Sequence, residues 1–339
     1  MRLLTRRNLL VGGGALTAAA VAGAALAQRP QAFHGATPIR VAAQPISHLS
    51  NTDPDRTRFG SLVFRSGLVL KSDVSAFGGF SALWRSPEGD EIAALADNAQ
   101  ILKARVDISD GRLSGLSQAA MAPLLLSDGT LARRSPYYDT ESLAISGNVA
   151  FVGVERNHAV LRFQRDREGR LVQGVPIAVP GDLKEDLKDL PNNGGLEALA
   201  LTPPRSSLAG ALVGISEGGR GFILTGARPG SFELVRRDGY DVTDLAFVDS
   251  DDALVLERRF SLLGGFGCRL RRIASSAVRP GASVDGEVIY QSEASHQIDN
   301  MEGLAVHREG RETVVSMISD NNFNASLQRT LLLEFALVA

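Results

Sequence analysis

The chain has 339 residues but only one cysteine, one tryptophan and 6% aromatic residues in all. A single thiol, Cys268, excludes an internal disulfide framework and any zinc or iron–sulfur site built from several cysteines. The scarcity of aromatics argues against a base-stacking surface. Neither sign of charge dominates, with 36 basic and 38 acidic residues and a net charge of −2. Without a basic excess, nucleic acid is not an expected partner. Without runs of like charge, no segment reads as an interaction tail. The five histidines show no H-x-H or H-E-x-x-H spacing, so the common zinc patterns are missing. Beyond the N-terminus no segment offers eighteen uninterrupted apolar residues, so no later membrane span is expected.

What is present begins with an address. Arg2, Arg6 and Arg7 form a charged start, Leu9 to Ala25 is apolar and built of small residues, and Ala25-Leu26-Ala27 has the A-x-A form of a cleavage site. Residues 1–27 therefore read as a cleaved signal peptide, and Thr5-Arg6-Arg7-Asn8-Leu9-Leu10 resembles a twin-arginine motif. The expectation is export to the periplasm or beyond, with no membrane attachment after cleavage. Removing the signal leaves 33 basic against 38 acidic residues, a net charge of −5. Residues 28–58 form an N-terminal segment, and residues 59–339 read as one domain. A monomer is expected.

That domain repeats. The segments Phe80-Ser81-Ala82-Leu83, Thr140-Glu141-Ser142-Leu143, Leu196-Glu197-Ala198-Leu199, Val242-Thr243-Asp244-Leu245 and Met301-Glu302-Gly303-Leu304 share one pattern. Their common leucine recurs in steps of 60, 56, 46 and 59 residues. Each is followed by a short apolar run ending in an acid (Asp97, Glu155, Glu217, Glu257, Asp320) and then by a third strand-like run. Runs this short, divided by turn residues, are strands. Four strands per unit, repeated radially, predict an all-β chain folded as a β-propeller. Five blades are visible, and a degenerate sixth over residues 36–75 remains open. The last unit lacks a fourth strand, which the run Phe59 to Lys71 can supply, closing the ring at the N-terminus. A β-sandwich is the alternative, but it leaves the repeated acids unexplained. The one helical pattern, Asp182 to Leu190, ends at Pro191 and falls between units two and three.

Equivalent positions in a propeller form rings. Carboxylates crowded near its axis are costly unless paired, hydrogen-bonded or metal-bound. One ring would hold Glu141, Glu197 and Glu302, with Asp244 one residue further on. The other would hold Asp97, Glu155, Glu217, Glu257 and Asp320. Arg156 follows Glu155, and Arg258 and Arg259 follow Glu257. One reading is a purely structural ion-pair network. The other is a Ca²⁺ site of carboxylate and amide oxygens, including Glu257, Asp320 and Asn321, facing arginines that hold a phosphate.

Asp139-Thr140-Glu141-Ser142-Leu143-Ala144, Asn193-Gly194-Gly195-Leu196-Glu197-Ala198-Leu199, Glu257-Arg258-Arg259 with Gly264-Gly265-Phe266-Gly267, Asp299-Asn300-Met301-Glu302-Gly303-Leu304 and Ser319-Asp320-Asn321-Asn322-Phe323 together resemble the bacterial exported phytase-like family, described as having the esterase-like activity of phytase. The resemblance covers roughly residues 59–337 and implies a propeller with recurring acids, without supplying a catalytic set. Unit one departs from it, with Ser81 where others carry an acid. The resulting expectation is metal-assisted hydrolysis of a small phosphate ester: Glu141, Glu197 and Glu302 as catalytic or base candidates, Arg156, Arg258 and Arg259 on the phosphate, and Ca²⁺ as cofactor. The alternative is a non-catalytic periplasmic propeller that binds a ligand or partner. Gly214-Ile215-Ser216-Glu217-Gly218 matches the G-x-S-x-G form of serine esterases, but a strand-like run follows where the motif needs a helix. Cys268 reads as a buried, inert thiol.

Overall fold

Short apolar-rich runs become strands, and most successive strands within a blade pair antiparallel. The computed structural model describes residues 33, 35–192, 194–248, 252–261 and 264–338. The expected export signal lies outside them. The described strands form five sheets, each built on four antiparallel strands. Blade 1 runs outward through Phe80–Arg85, Glu91–Ala96, Gln100–Ser109 and Arg112–Pro123. Blade 2 is Thr140–Ser146, Val149–Val154, Ala159–Arg165 and Leu171–Pro176. Blade 3 is Leu196–Leu201, Leu212–Ser216, Arg220–Ile223 and Gly230–Leu234. Blade 4 is Asp241–Phe247, Asp252–Ser261, Gly265–Ala274 and Glu287–Gln291. Blade 5 is Met301–Glu309, Glu312–Ser319, Thr330–Leu337 and Leu62–Lys71. We call the strands of each blade a to d, from the inside out.

The five a strands pack against one another in a closed cycle, blade 1 against 2 and so on to blade 5 against 1. This is the five-bladed propeller expected from the repeat. Its closure is also as expected: Leu62–Lys71 pairs antiparallel with the C-terminal strand, with Leu68 opposite Leu332 and Leu62 opposite Leu337. No sixth blade forms from residues 36–75. Those residues instead lengthen existing sheets, Thr37–Pro38 at the outer edge of blade 1 and Ala42–Ile46 at that of blade 5. Blade 3 receives the short parallel strand Ser283–Val284. In blade 2, Gly174 exchanges backbone bonds with Leu125 and Ser127, and in blade 4 the Ile289 carbonyl accepts from the Ser61 N–H. Such cover blunts edges that would otherwise invite intermolecular pairing.

The apolar core is divided among the blade interfaces. One cluster joins Leu68, Leu332 and Ile318 of blade 5 to Phe80, Ala94 and Leu102 of blade 1. Another joins Leu95 and Ile101 of blade 1 to Leu143, Val152 and Phe163 of blade 2. Similar clusters lie between blades 2 and 3, 3 and 4, and 4 and 5. Both faces of most strands are thus buried, which explains runs such as Leu254-Val255-Leu256 that do not alternate with polar residues.

The expected helix forms as α1, Gly181–Lys188, and buries Leu183 and Leu187 beside Leu190, Leu199 and Phe222. It lies in the connection from blade 2 to blade 3, and Arg220 Nη2 donates to Asp186 Oδ1 at 2.6 Å. Connections from d to a, and turns from b to c, open on the same mouth of the propeller. The repeated acids sit at that mouth.

Candidate functional site

The entry of every a strand carries a β-bulge. The a–b register skips one residue in each blade: Ser81, Glu141, Glu197, Thr243 and Glu302. A bulge bends the strand and re-aims the side chain that has no opposite number. Five identical bulges therefore put Glu141, Glu197 and Glu302 at equivalent places around the axis. Blades 1 and 4 contribute the small hydroxyls Ser81 and Thr243. Asp244, the residue after the bulge, does something else. Its carboxylate accepts the Leu245 N–H at 2.8 Å and the Leu304 N–H at 2.6 Å. Burial pushes its carboxyl well up, against the opposing effect of the Leu304, Leu245 and Leu83 N–H groups. Asp244 fastens blade 4 to blades 5 and 1 and is absent from the open mouth.

The second ring needs one correction. Asp97, Glu155, Glu217 and Asp320 each donate their backbone N–H to the matching carbonyl at the a-strand entry, those of Gly79, Asp139, Gly195 and Asn300. In blade 4 the residue paired at that level, opposite Asp241, is Arg258. Glu257 lies one residue earlier and faces the opposite side of the strand. There Arg269 Nε donates to its Oε2 at 2.7 Å and Arg271 Nη2 to its Oε1 at 2.6 Å. All three side chains are 0–1% exposed. The ring is thus four carboxylates and one arginine.

The two rings form one electrostatic unit. Burial, then the charges of Glu197, Asp97, Glu155 and Glu302, push the Glu141 carboxyl well above its ordinary range. Glu197 is raised likewise by burial and by Glu217, Glu155 and Glu302, with Arg258 opposing. Asp320 is raised by burial, Glu302 and Asp97, against the Asn322 N–H and Arg258. For Arg258, burial disfavours the charge, but Glu302, Glu217, Glu197 and Asp320 together raise its pKa. Its Nη1 donates to Asn300 Oδ1 at 3.0 Å and its Nη2 lies 3.3 Å from Glu302 Oε1. Asn300 Nδ2 donates to the same Glu302 oxygen at 2.7 Å. Carboxyls raised above their ordinary range by burial and by one another's charge are candidates for general acid–base work.

On the blade 2 side, Asp139, Glu141 and Glu155 bring carboxylate oxygens within 4.8 Å of one another. This trio could hold a metal ion. The donors are oxygens alone, which suits a hard cation. Oxygens on opposite sides of a Ca²⁺ ion stand about 4.6–5.2 Å apart, twice the roughly 2.3–2.6 Å bond, so the spacing fits one such ion. Arg156 Nε donates to Asp139 Oδ2 at 2.6 Å. Its guanidinium also lies over Tyr138, 5.1 Å from the ring centre. Gly195 passes so close to Glu155 that a Cβ would stand 2.6 Å from the Glu155 Cα, so only glycine fits there.

The other candidates from the sequence are scattered. Arg259 is exposed and stacks over Tyr240 at 4.8 Å. Asp320 is at the mouth, with its Oδ1 accepting the Asn322 N–H. Asn321 Oδ1 accepts the N–H groups of Gly79 and Phe323, which ties blade 5 to blade 1. Ser216 ends a strand, is buried, and accepts the Arg220 N–H, without the helix an esterase serine needs. Cys268 is buried, and burial followed by the Glu257 charge pushes its thiol up to about 12, so it is inert. Asp139 is not among the ligands expected from the sequence. Its signal is the recurrence of a small or Asx residue two places before each bulge, at Gly79, Asp139, Gly195, Asp241 and Asn300.

Among solved structures, the chain is similar to glutaminyl cyclase of Myxococcus xanthus, with 10% identity, TM-score 0.40, and 89% of this chain and 100% of that one covered. It is similar to a putative 6-phosphogluconolactonase of Bacteroides uniformis at 12% identity and TM-score 0.35, covering 82% and 79%. It is also similar to the Malassezia sympodialis allergen Mala s 1 at 10% identity and TM-score 0.41, covering 83% and 91%. No curated protein matches. The family described as phytase-like, with the esterase-like activity of phytase, matches residues 75–323. That span runs from the entry of blade 1 into the b–c loop of blade 5 and takes in both acid rings and Arg258. The chain belongs to the phytase-like family.

Proposed function

We propose that this chain is an exported hydrolase of small phosphate esters that works at the acidic mouth with Ca²⁺ held by Asp139, Glu141 and Glu155. The observation that carries this reading is the convergence of those three carboxylates within 4.8 Å on the same mouth as Arg258. When bound, Ca²⁺ supplies positive charge against the phosphate oxygens and makes water more acidic. The Arg258 guanidinium supplies planar donors suited to a phosphate.

In this scheme Glu302, fixed by Arg258 and Asn300, accepts a proton from the attacking water. Glu197, whose carboxyl is raised by burial and by neighbouring acids, serves as the acid that protonates the leaving alcohol. One P–O bond forms to water and one breaks to the alcohol, yielding inorganic phosphate. Arg156 keeps Asp139 in place, and Arg259 adds positive charge at the rim. Of the residues considered as further ligands, Asp320 stays at the mouth. Glu257 and Asn321 already accept hydrogen bonds elsewhere. The partner proposed is a small phosphate ester, taken up by a single chain that the N-terminal signal sends to the periplasm. Among the described residues no helix is long and apolar enough to cross a membrane.

Turnover of phosphate mono- and diesters by the purified chain, with Ca²⁺ and with chelator, tests this. Activity lost on chelation and in Glu302→Gln is expected, and activity retained in both overturns the scheme. No turnover under either condition favours the second reading, a non-catalytic propeller that binds a ligand. That reading draws support from Glu302 already being satisfied by Asn300 and Arg258.

A further inference from the structure

Blade 4 differs from the others above the rings. In blades 1, 2, 3 and 5 the b–c pairing ends at or below the level of the second ring. In blade 4 it continues past Arg258 through Arg259–Gly267, Phe260–Phe266 and Ser261–Gly265. Three more residues at about 3.3 Å each raise this hairpin roughly 10 Å above Arg258. Side chains alternate along a strand, so Phe260 shares a face with Arg258, and Phe266 shares one with Cys268. Cys268 and Leu256 pack against blade 5. The two phenylalanines therefore stand over the side of the mouth where Arg258 meets Asn300 and Glu302. Their rings are 4.9 Å apart and tilted by 49°. Phe260 is 46% exposed.

We infer that this hairpin is a substrate wall, and that the phosphate ester taken by the mouth carries an aromatic or similarly flat apolar group on its alcohol. The inference rests on the phosphate-ester reading. Phe260 is two residues from Arg258, about 6.6 Å along the strand. A phosphate on the Arg258 guanidinium and a ring on Phe260 match an ester whose aromatic group is two or three bonds from the ester oxygen. Phe260, exposed beside an arginine and backed by the half-buried Phe266, has apolar contact surface to offer such a ligand. Arg259, on the other face, is occupied by Tyr240.

The test compares 2-phenylethyl phosphate with propyl phosphate, whose alcohols differ little in acidity, so a difference in kcat/KM reports recognition of the ring. The intact chain with Ca²⁺ is expected to favour the phenylethyl ester at least about fivefold, and Phe260→Ser is expected to shrink that preference by roughly 2- to 12-fold, the range for one aromatic contact. Ile108→Ser, an exposed apolar residue in blade 1, is the control and should leave the preference intact. Equal turnover of the two esters by the wild type, or a preference that survives Phe260→Ser, overturns the inference while leaving the phosphate-ester reading in place. If neither ester turns over, calorimetric binding of the same two compounds decides. Tighter phenylethyl binding that Phe260→Ser abolishes upholds the wall without the catalysis, and no binding difference overturns it.

Discussion

Replacing Glu257 by alanine should destabilise the fold severely and leave Ca²⁺ binding alone. The carboxylate accepts from Arg269 at 2.7 Å and from Arg271 at 2.6 Å, and both arginine side chains are fully buried. Arg269 would keep Asp238 Oδ2 and the Arg237 carbonyl, and Arg271 would keep the Val235 carbonyl and Asp285. Neither set replaces a buried charge lying between two guanidinium groups. Removing one member of such a network costs about 3–5 kcal/mol. At about 2 °C per kcal/mol for a chain of this size, Tm should fall by roughly 6–10 °C, with a matching loss in urea titration. If Glu257 ligated Ca²⁺, the Tm increase caused by Ca²⁺ would disappear in the variant. We expect that increase to persist. A loss of stability below about 1 kcal/mol, or a vanished Ca²⁺ effect, would refute the assignment of Glu257 to the blade 4 ion network.

Three further outcomes are expected. The raised carboxyls Glu141, Glu197 and Asp320 make the folded chain bind more protons than the unfolded chain above their ordinary values of 4.5, 4.5 and 3.8. Stability in chelator should therefore fall as pH rises from about 4 through their elevated values, and Glu141→Gln should flatten the decline. Thermal unfolding across pH measures it, and a rise over that interval would contradict the crowded-acid description. Asp244→Ala should cost about 3 kcal/mol or more, because it leaves the buried Leu245 and Leu304 N–H groups without an acceptor; chemical denaturation checks this, and a near-neutral result would deny the fastening role. Gly195→Ala should destabilise by about 1–3 kcal/mol and weaken Ca²⁺ binding through displacement of Glu155, both readable by calorimetry. Unchanged Ca²⁺ affinity would remove Glu155 from the ligand set.

The repeat made the architecture legible because each blade uses the same apolar spacing and the same leucine at the a strand. Closure by residues 62–71 was legible because the last unit visibly lacked an outer strand. The helix was legible from its leucine spacing and Pro191. The sites were only partly so. Glu257, Arg258 and Arg259 all fit a motif ending in a charge, and one residue of register decides which of them faces the axis. That register depends on the bulge at Thr243, and a bulge leaves no mark in a sequence of this kind. The Asp139–Glu155 pairing was hidden for a related reason: it joins residues 16 positions apart across a hairpin, and Asp139 lies just before the segment that repeats.

Closure by the N-terminal strand also sets an order of events. Leu62–Lys71 is made early, but its partner Thr330–Leu337 is the last of the described strands to be made. Blades 1 to 4 can each form from neighbouring segments, whereas blade 5 must wait until nearly the whole chain exists. Joining strands about 260 residues apart costs entropy that grows only slowly with loop length, but it makes the final step depend on a contact between distant parts of the chain. Until that step, the edge of Thr330–Leu337 and its apolar faces stay open to other chains. A chain cut short by a few residues would therefore keep four sound blades and still be unable to shut the ring.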